Sequence, residues 1–223
     1  MRLALVLLPF FLLLAALLAW PTLDLAVTTV FYTPEKGFEA TTLWPFQTLH
    51  GIAYYGARVF GVALVLGLLA AWKKPFLALP RKAWFFLFLC LVIGPGLVAN
   101  VIFKDHWGRA RPHQIAEFGG TGSFSPPLQM SAACQTNCSF VSGDGAFGFF
   151  LPSLAYVIAP RRSRRVFWSG MVLGAVFGTA RIAMGAHFLS DVLFAALFML
   201  LTSALLHALL YGPRRTFEIW KRW

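Results

Sequence analysis

Residues 181–191 read Arg181-Ile-Ala-Met-Gly-Ala-His187-Phe-Leu-Ser-Asp191, and they lie between two long apolar runs. Charged side chains at membrane depth are costly, so such a cluster predicts a functional site. If a helix begins near His187, Asp191 shares its face because the two residues are four apart. The carboxylate can then hold one imidazole nitrogen as N–H and leave the other free as a nucleophile. Arg181 would meet an anion; a buried ion pair between helices is the alternative explanation.

The composition around this stretch is that of a membrane protein. The 223-residue chain is 59% hydrophobic and only 12% charged, which excludes a disordered chain. Several apolar segments each come close to the roughly 20 residues that a spanning helix needs. The sequence therefore predicts an all-α integral membrane protein with a single domain, residues 1–223, built as a bundle of six transmembrane helices. The predicted helices cover residues 3–20, 52–72, 83–103, 143–160, 166–186 and 189–211.

The basic residues predict the orientation of the bundle. The net charge is +11, and all but six of the 19 Lys and Arg residues fall near one predicted membrane face. This satisfies the positive-inside rule, so both termini are expected in the cytoplasm and the protein in a bacterial inner membrane. The excess charge indicates topology and contact with membrane lipids; no nucleic acid and no obligate protein partner are expected. The six exceptions are Lys36, Arg58, Lys104, Arg109, Arg111 and Arg181.

Most of these exceptions cluster at the outer ends of predicted helices three and five, namely at Lys104, Arg109, Arg111 and Arg181. Topology disfavours positive charge on that side, so another requirement must maintain it. The loop of residues 104–141 joins helices three and four, and loops of this length are usually functional. We therefore expect an anion-binding centre outside the membrane. Snorkelling of Lys104 and Arg111 to the interface is the alternative.

Two further features lie at the end of this loop. Ser142 and Gly143 immediately precede predicted helix four, where a hydroxyl and free backbone N–H groups suit a phosphate. A simple N-cap is the commoner role of such a serine. Cys134 and Cys138 could form a disulfide on the oxidising side of the membrane or remain free thiols, and the loop supplies too few other ligands for zinc.

Three motifs therefore follow one another on the predicted outer face: Lys104-x6-Arg111-Pro112, Ser142-Gly143, and Arg181-x5-His187-x3-Asp191. In this order and spacing they resemble the three-part signature of the type 2 phosphatidic acid phosphatase superfamily. That family includes lipid phosphatases, undecaprenyl pyrophosphate phosphatases, glucose-6-phosphatase and vanadium haloperoxidases. The motifs cover residues 104–191, and the topology covers nearly the whole chain. The string from Phe118 through the two loop cysteines to Ser142-Gly143 is similar to the lipid A phosphatase branch.

The resemblance implies a role for each matching residue. His187 is expected to attack phosphorus and form a phosphohistidine, with Asp191 as its orienting partner. Cations and helix N–H groups can stabilise the transition state of phosphoryl transfer. The family is metal-independent and no metal-ligand spacing occurs in the sequence, so neither a metal nor another cofactor is expected. The implied phosphate ligands are Lys104, Arg111, Ser142, Gly143 and Arg181.

The second motif departs from the family. Val141-Ser142-Gly143-Asp144 stands where Pro-Ser-Gly-His is usual, and that histidine acts as the general acid. An ionised Asp144 would repel phosphate and could not donate a proton. Either Asp144 is protonated in the substrate complex, or the leaving group needs little help, or His106 or His113 supplies the proton. We assign the catalytic acid to Asp144; His50 and His207 receive no catalytic role.

The expected activity is hydrolysis of a lipid phosphate or pyrophosphate at the periplasmic face, with a phosphate of lipid A, the anchor of lipopolysaccharide, as the first candidate. Undecaprenyl pyrophosphate, phosphatidylglycerol phosphate and phosphatidate are the alternative substrates, and transfer of the phosphoryl group to another lipid is the alternative reaction. A non-catalytic anion or lipid transporter is the competing class. A transporter, however, has no evident need for a histidine followed four residues later by a carboxylate.

Overall fold

The computed structural model describes the backbone of residues 2–221 and 223, and the side chains from residue 8 onward. Arg222, one of the basic residues counted above, lies outside the described residues. Helices account for 70% of the structure. Within the described part of the chain, β-structure is limited to isolated bridges such as Thr33 with Gly37. The prediction of an all-α protein is therefore confirmed.

The α-helices are α1 (Arg2–Ala19), α2 (Thr22–Thr29), α3 (Trp44–Ala70), α4 (Arg81–Leu91), α5 (Gly143–Phe150), α6 (Pro160–Ala183), α7 (Leu189–Tyr211) and α8 (Pro213–Trp220). Helix α4 continues as a π-helix over Val92–Lys104, a segment that contains Pro95. Short 3-10 helices cover Glu39–Thr41, Pro112–Gln114, Ala116–Phe118 and Leu151–Tyr156.

Four of these segments are long and apolar enough to cross a membrane, and α1 with α2, bent by 105°, is a fifth candidate. The four are Trp44–Ala70, Arg81–Lys104, Pro160–Ala183 and Leu189–Tyr211. They show a membrane protein with four or five candidate spans, fewer than the six that the sequence predicts.

Three predicted helices differ from those observed; the one predicted over residues 166–186 is α6, which begins earlier, at Pro160, and ends at Ala183. The helix predicted over residues 143–160 is instead the short α5 followed by a 3-10 helix that contains Pro152. Proline lacks the N–H that an α-helix needs and its ring clashes with the preceding turn, so the α-helix stops there. Helix α3 begins at Trp44, well before residue 52, and Pro45 occupies its first turn, where proline is favoured.

Helix α5 lies at the centre of the bundle. Its residues from Gly145 to Phe150 are all buried, and it packs against α3, α6, α7 and the π-helical segment. The approach to α6 is closest at Gly148 and Gly174, where a Cβ on either glycine would collide with the facing helix. Small residues at such a crossing let two helices approach closely. Because α5 starts at Gly143, this packing fixes the position of the second sequence motif.

The loop after Lys104 folds back so that its two ends run side by side. The backbone N–H of Cys138 donates to the carbonyl of Lys104 at 3.1 Å, and that of Ser139 donates to the carbonyl of Arg109 at 2.8 Å. The N–H of Ser142 then donates to the carbonyl of Asp191 at 3.1 Å. These bonds bring all three motifs to one end of the bundle.

Candidate active site

His187 lies in the turn between α6 and α7, and its side chain is only 2% exposed. Its Nδ1 is 2.7 Å from the backbone carbonyl of Ser139. Because a carbonyl can only accept, Nδ1 carries the hydrogen and Nε2 keeps its lone pair. Burial lowers the pKa of His187 to about 4, against the opposing attraction of Asp191. At neutral pH the ring is therefore uncharged and can act as a nucleophile.

The carboxylate of Asp191 is fully buried and held by several donors. Arg109 donates to Oδ1 at 2.5 Å, and Oδ2 accepts from the Ser139 hydroxyl at 2.5 Å and from the Phe188 N–H at 2.9 Å. Its distance to Nδ1 of His187 is 3.6 Å, which is too long for a hydrogen bond. Asp191 therefore acts on the imidazole through its charge, while Ser139 fixes the ring.

Arg109 connects Asp191 to a carboxylate from the other end of the chain. Its Nη2 donates to Oδ2 of Asp24 at 2.9 Å, and Asp24, Arg109 and Asp191 are all 0% exposed. Asp24 lies on α2 and also accepts from the backbone N–H of Ser190 at 2.8 Å. A buried guanidinium between two carboxylates is electrostatically satisfied. The bent α1–α2 pair is thereby joined to the start of α7.

The three cations of the sequence motifs meet near His187. The charges of Lys104, Arg111 and Arg181 act on one another, and those of Lys104 and Arg111 also act on His187. Among the described residues, the ammonium of Lys104 makes neither a hydrogen bond nor a salt bridge. The mutual repulsion of three cations favours an anion between them.

Ser142 and Gly143 occupy the N-terminus of α5. The Ser142 hydroxyl accepts from the N–H of Gly145 at 3.3 Å, so this serine caps the helix. A Cβ on Gly143 would lie 3.0 Å from Nζ of Lys104, which indicates that the lysine packs directly against the backbone here. The helix terminus and Lys104 therefore face the same small volume, and together they can bind a phosphate.

Asp144, the residue that departs from the family, has two partners. Its Oδ2 is 2.6 Å from Nδ1 of His50 on α3 and 3.3 Å from Nε of Arg181 on α6. The side chain of His50 is 39% exposed and that of Asp144 is 14% exposed. Asp144 thus joins α3, α5 and α6 beside the cation cluster.

The loop that carries Arg111 contains a disulfide between Cys134 and Cys138. Within the same short loop, the carbonyl of Asn137 accepts from Nε of Arg111 at 3.1 Å and from Nη2 at 2.8 Å. The Asn137 side-chain oxygen accepts from Nη2 at 2.9 Å. The disulfide therefore restrains the residue that orients the Arg111 guanidinium.

An open cleft of about 500 Å³ leads into the site. Arg111, Arg181 and Ala186 line it, and Tyr32, Phe38 and Phe118 contribute aromatic surface. A cleft of this size can take the group that is attached to a bound phosphate.

Comparisons with known proteins identify the family. The family model described as the PAP2 superfamily matches residues 83–215. A lipid A 4'-phosphatase of Francisella tularensis subsp. novicida is 36% identical over 204 residues, which are 88% of this chain and 90% of that protein. The chain belongs to the PAP2 superfamily. The resemblance seen in the three sequence motifs is thereby confirmed, and the protein is a membrane phosphatase that acts on a lipid phosphate.

Two other relatives show the breadth of this PAP2 similarity. A lipid A 4'-phosphatase of Rhizobium leguminosarum is 39% identical over 120 residues, 53% of this chain and 51% of that protein. Phosphatidylglycerophosphatase B of Bacillus subtilis is 27% identical over 158 residues, 67% of this chain and 68% of that protein. No solved structure matches the chain.

The sequence motifs left several site residues unassigned. Asp24, Ser139 and His50 contact the site but belong to no motif, and Arg109 appeared only as a cation on the outer side. One signal could have revealed Asp24, since it is a carboxylate in a mostly apolar segment. Ser139 orients His187 through its backbone carbonyl, which no side-chain pattern marks.

Proposed function

We propose that this PAP2-superfamily protein removes a phosphate from lipid A through a phosphohistidine at His187. The substrate is suggested by the lipid A 4'-phosphatase that is 36% identical over 88% of this chain. The chemistry is supported above all by the buried, neutral imidazole of His187, which keeps Nε2 free while the charges of Lys104 and Arg111 act on the ring. Phosphoryl transfer requires mainly positioning and charge stabilisation, and these residues can supply both.

In the proposed reaction, Nε2 of His187 attacks phosphorus in line with the ester oxygen. Lys104, Arg111 and Arg181 bind the equatorial oxygens, helped by the backbone N–H groups that follow Ser142. The phosphorus–oxygen bond breaks, and the leaving oxygen receives a proton on the side of Asp144. Water then hydrolyses the phosphohistidine, which releases inorganic phosphate and restores the imidazole. None of these steps requires a metal, so EDTA should leave the activity unchanged.

The substrate assignment is tested with purified protein in detergent. Lipid A, phosphatidylglycerol phosphate and phosphatidate are compared by release of inorganic phosphate, and the lipid product is analysed by mass spectrometry. Lipid A should give the highest kcat/KM and lose a single phosphate. The similarity to phosphatidylglycerophosphatase B favours phosphatidylglycerol phosphate as the second candidate. A labelled phosphate found on an added acceptor lipid, and not in solution, would indicate a phosphotransferase.

The proposed topology has six crossings of the bacterial inner membrane, both termini in the cytoplasm and the active site facing the periplasm. The distribution of basic residues supports it. Single cysteines at Glu117 and at Arg162 test it, after Cys134 and Cys138 have been replaced. A membrane-impermeant reagent should label position 117 in intact spheroplasts, and position 162 only after lysis. The reverse pattern would exclude a periplasmic site.

Membership of the PAP2 superfamily favours an enzyme over the anion or lipid transporter that the sequence left as the competing class. The cheapest distinction is catalytic turnover. Inorganic phosphate released from a short-chain lipid phosphate in detergent, with no membrane to cross, requires an enzyme. The absence of release from every tested lipid phosphate would favour transport.

A further inference from the structure

His50 and Asp144 form a pair that the three sequence motifs do not predict. His50 lies in the first turns of α3, and Asp144 lies in the first turn of α5, next to Ser142 and Gly143. The 2.6 Å contact joins Nδ1 of His50 to Oδ2 of Asp144 across 94 residues of sequence. The pair therefore stands where the usual PAP2 motif would place its acid histidine.

The contacts of Asp144 are those of a proton acceptor. Its Oδ2 lies near the Nε–H of Arg181 and the ring nitrogen of His50, and both of these groups can donate. This oxygen is therefore placed to accept a hydrogen bond from His50 and to form an ion pair with the Arg181 guanidinium. An imidazole that donates through Nδ1 to a carboxylate, however, is oriented and stabilised as the imidazolium, which carries a second proton on Nε2.

The other histidines near the site lack this arrangement. Nδ1 of His106 contacts the backbone carbonyl of Val101 at 2.8 Å, and Nδ1 of His113 contacts that of Gly185 at 2.9 Å. Neither ring contacts a carboxylate within the described residues. Nε2 of His50 makes no hydrogen bond in the part of the chain that the structure describes, so it is available to a ligand.

We propose that His50 is the general acid of the reaction and that Asp144 orients it through Nδ1. The assignment rests on the proposed function. When Nε2 of His187 bonds to phosphorus, the electron pair of the breaking phosphorus–oxygen bond goes to the leaving oxygen, which takes the proton from Nε2 of His50. Neutral His50 then accepts a proton from the water that attacks the phosphohistidine. The phosphorus–nitrogen bond breaks, and its electron pair returns to Nε2 of His187.

In this arrangement an imidazole supplied by α3 replaces the one that is missing from α5. Asp144 is therefore a positioning residue, because it orients His50 and does not itself transfer the proton. The assignment also explains how a carboxylate can stand beside a phosphate site, because its charge is shared by Arg181 and His50.

The test compares substrates that differ only in their need for an acid. His50→Gln should lower kcat about 10²–10⁴-fold on a lipid phosphate, whose alkoxide leaving group needs a proton. On a nitrophenyl phosphate, whose leaving group is stable as an anion, the loss should nearly vanish. Asp144→Asn should show the same selectivity with a smaller loss, and the double variant should lose little more than His50→Gln alone. Added imidazole should restore His50→Ala on the lipid phosphate.

His106→Gln and His113→Gln are the matched variants, and both should retain activity on the two substrates. Equal losses of His50→Gln on both substrates, or no loss on the lipid phosphate, would overturn the assignment, as would a selective loss in either matched variant alone. A wild-type protein that released no phosphate from either substrate would overturn the proposed function and this assignment with it.

Discussion

Nδ1 of His187 and Oδ2 of Asp191 lie 3.6 Å apart, while the same nitrogen is 2.7 Å from the Ser139 carbonyl. The imidazole is therefore oriented by a backbone group, and the neighbouring carboxylate contributes charge. In the serine protease triad, by contrast, the aspartate itself selects the histidine tautomer. Here one residue, Ser139, orients the imidazole, and another, Asp191, contributes the negative charge.

Asp191→Asn should lower kcat by a smaller factor than the same change does in such a triad. There kcat falls about 10⁴-fold because the wrong tautomer forms. The Ser139 carbonyl keeps the hydrogen on Nδ1, so we expect a loss in kcat well below about 10⁴-fold, from the missing charge alone. Turnover of a nitrophenyl phosphate measures it, with a thermal unfolding curve as the control for folding. A loss near 10⁴-fold in a folded variant would show that Asp191 sets the tautomer.

Asp24→Ala should strongly destabilise the protein. It leaves the buried Arg109 with a single carboxylate and removes the acceptor of the Ser190 N–H. Breaking a buried ion pair costs about 3–5 kcal/mol. Glu39→Ala is the matched control, since Glu39 pairs with Lys36 at an exposed position and such pairs contribute about 0–1 kcal/mol. Chemical denaturation in detergent measures both, and equal effects would contradict the proposed stabilising role of Asp24.

The pH dependence of activity should reflect the buried state of His187. Its pKa in the folded protein is lowered from 6.5 to about 4, so the nucleophile stays neutral and active well below pH 6.5. Because kcat/KM reports the free enzyme, kcat/KM for nitrophenyl phosphate should show the acid limb of His187 only as the pH approaches 4. The free energy of unfolding should also decrease as the pH falls from 6.5 towards 4. In this range the imidazole binds a proton in the unfolded chain but not in the folded protein. An acid limb centred near 6.5 would contradict this.

Reduction of the Cys134–Cys138 disulfide should weaken phosphate binding through Arg111. The closed loop contains Asn137, which holds the Arg111 guanidinium at 2.8 and 2.9 Å. The chain-entropy model assigns about 2 kcal/mol to a disulfide that closes so short a loop. We expect reductant to raise KM and lower thermal stability in the wild type. The double variant Cys134→Ser with Cys138→Ser should resemble the reduced wild type and should not respond to reductant; a response there would refute the assignment.

The sequence predicted those parts of the molecule that depend on local pattern. The apolar runs indicated helices, and Arg181, His187 and Asp191 indicated a site because charged and polar side chains are costly between apolar runs. The expected shared helix face of His187 and Asp191 was not observed, since His187 lies in the turn before α7. The break after Phe150 could have been predicted from Pro152, but the continuous apolar composition concealed it.

The contacts that could not be predicted are those between distant segments. The His50–Asp144 pair depends on the packing of α3 against α5, and the bond from Asp24 to Arg109 depends on the 105° bend between α1 and α2. The apolar surroundings of Asp24 mark it as a candidate, but no sequence near Asp24 or His50 identifies the partner of either residue. Such contacts are determined by tertiary packing and have no local sequence signal.

The most direct test of the account is to trap the phosphoryl group on His187. Protein incubated with phosphate-labelled substrate is denatured in alkali, where phosphohistidine survives, and the labelled peptide is sequenced. Label is expected at His187 in the wild type, and neither label nor turnover in His187→Ala, which should still bind vanadate. Label on another residue, or near-normal turnover in His187→Ala, would contradict the proposed mechanism.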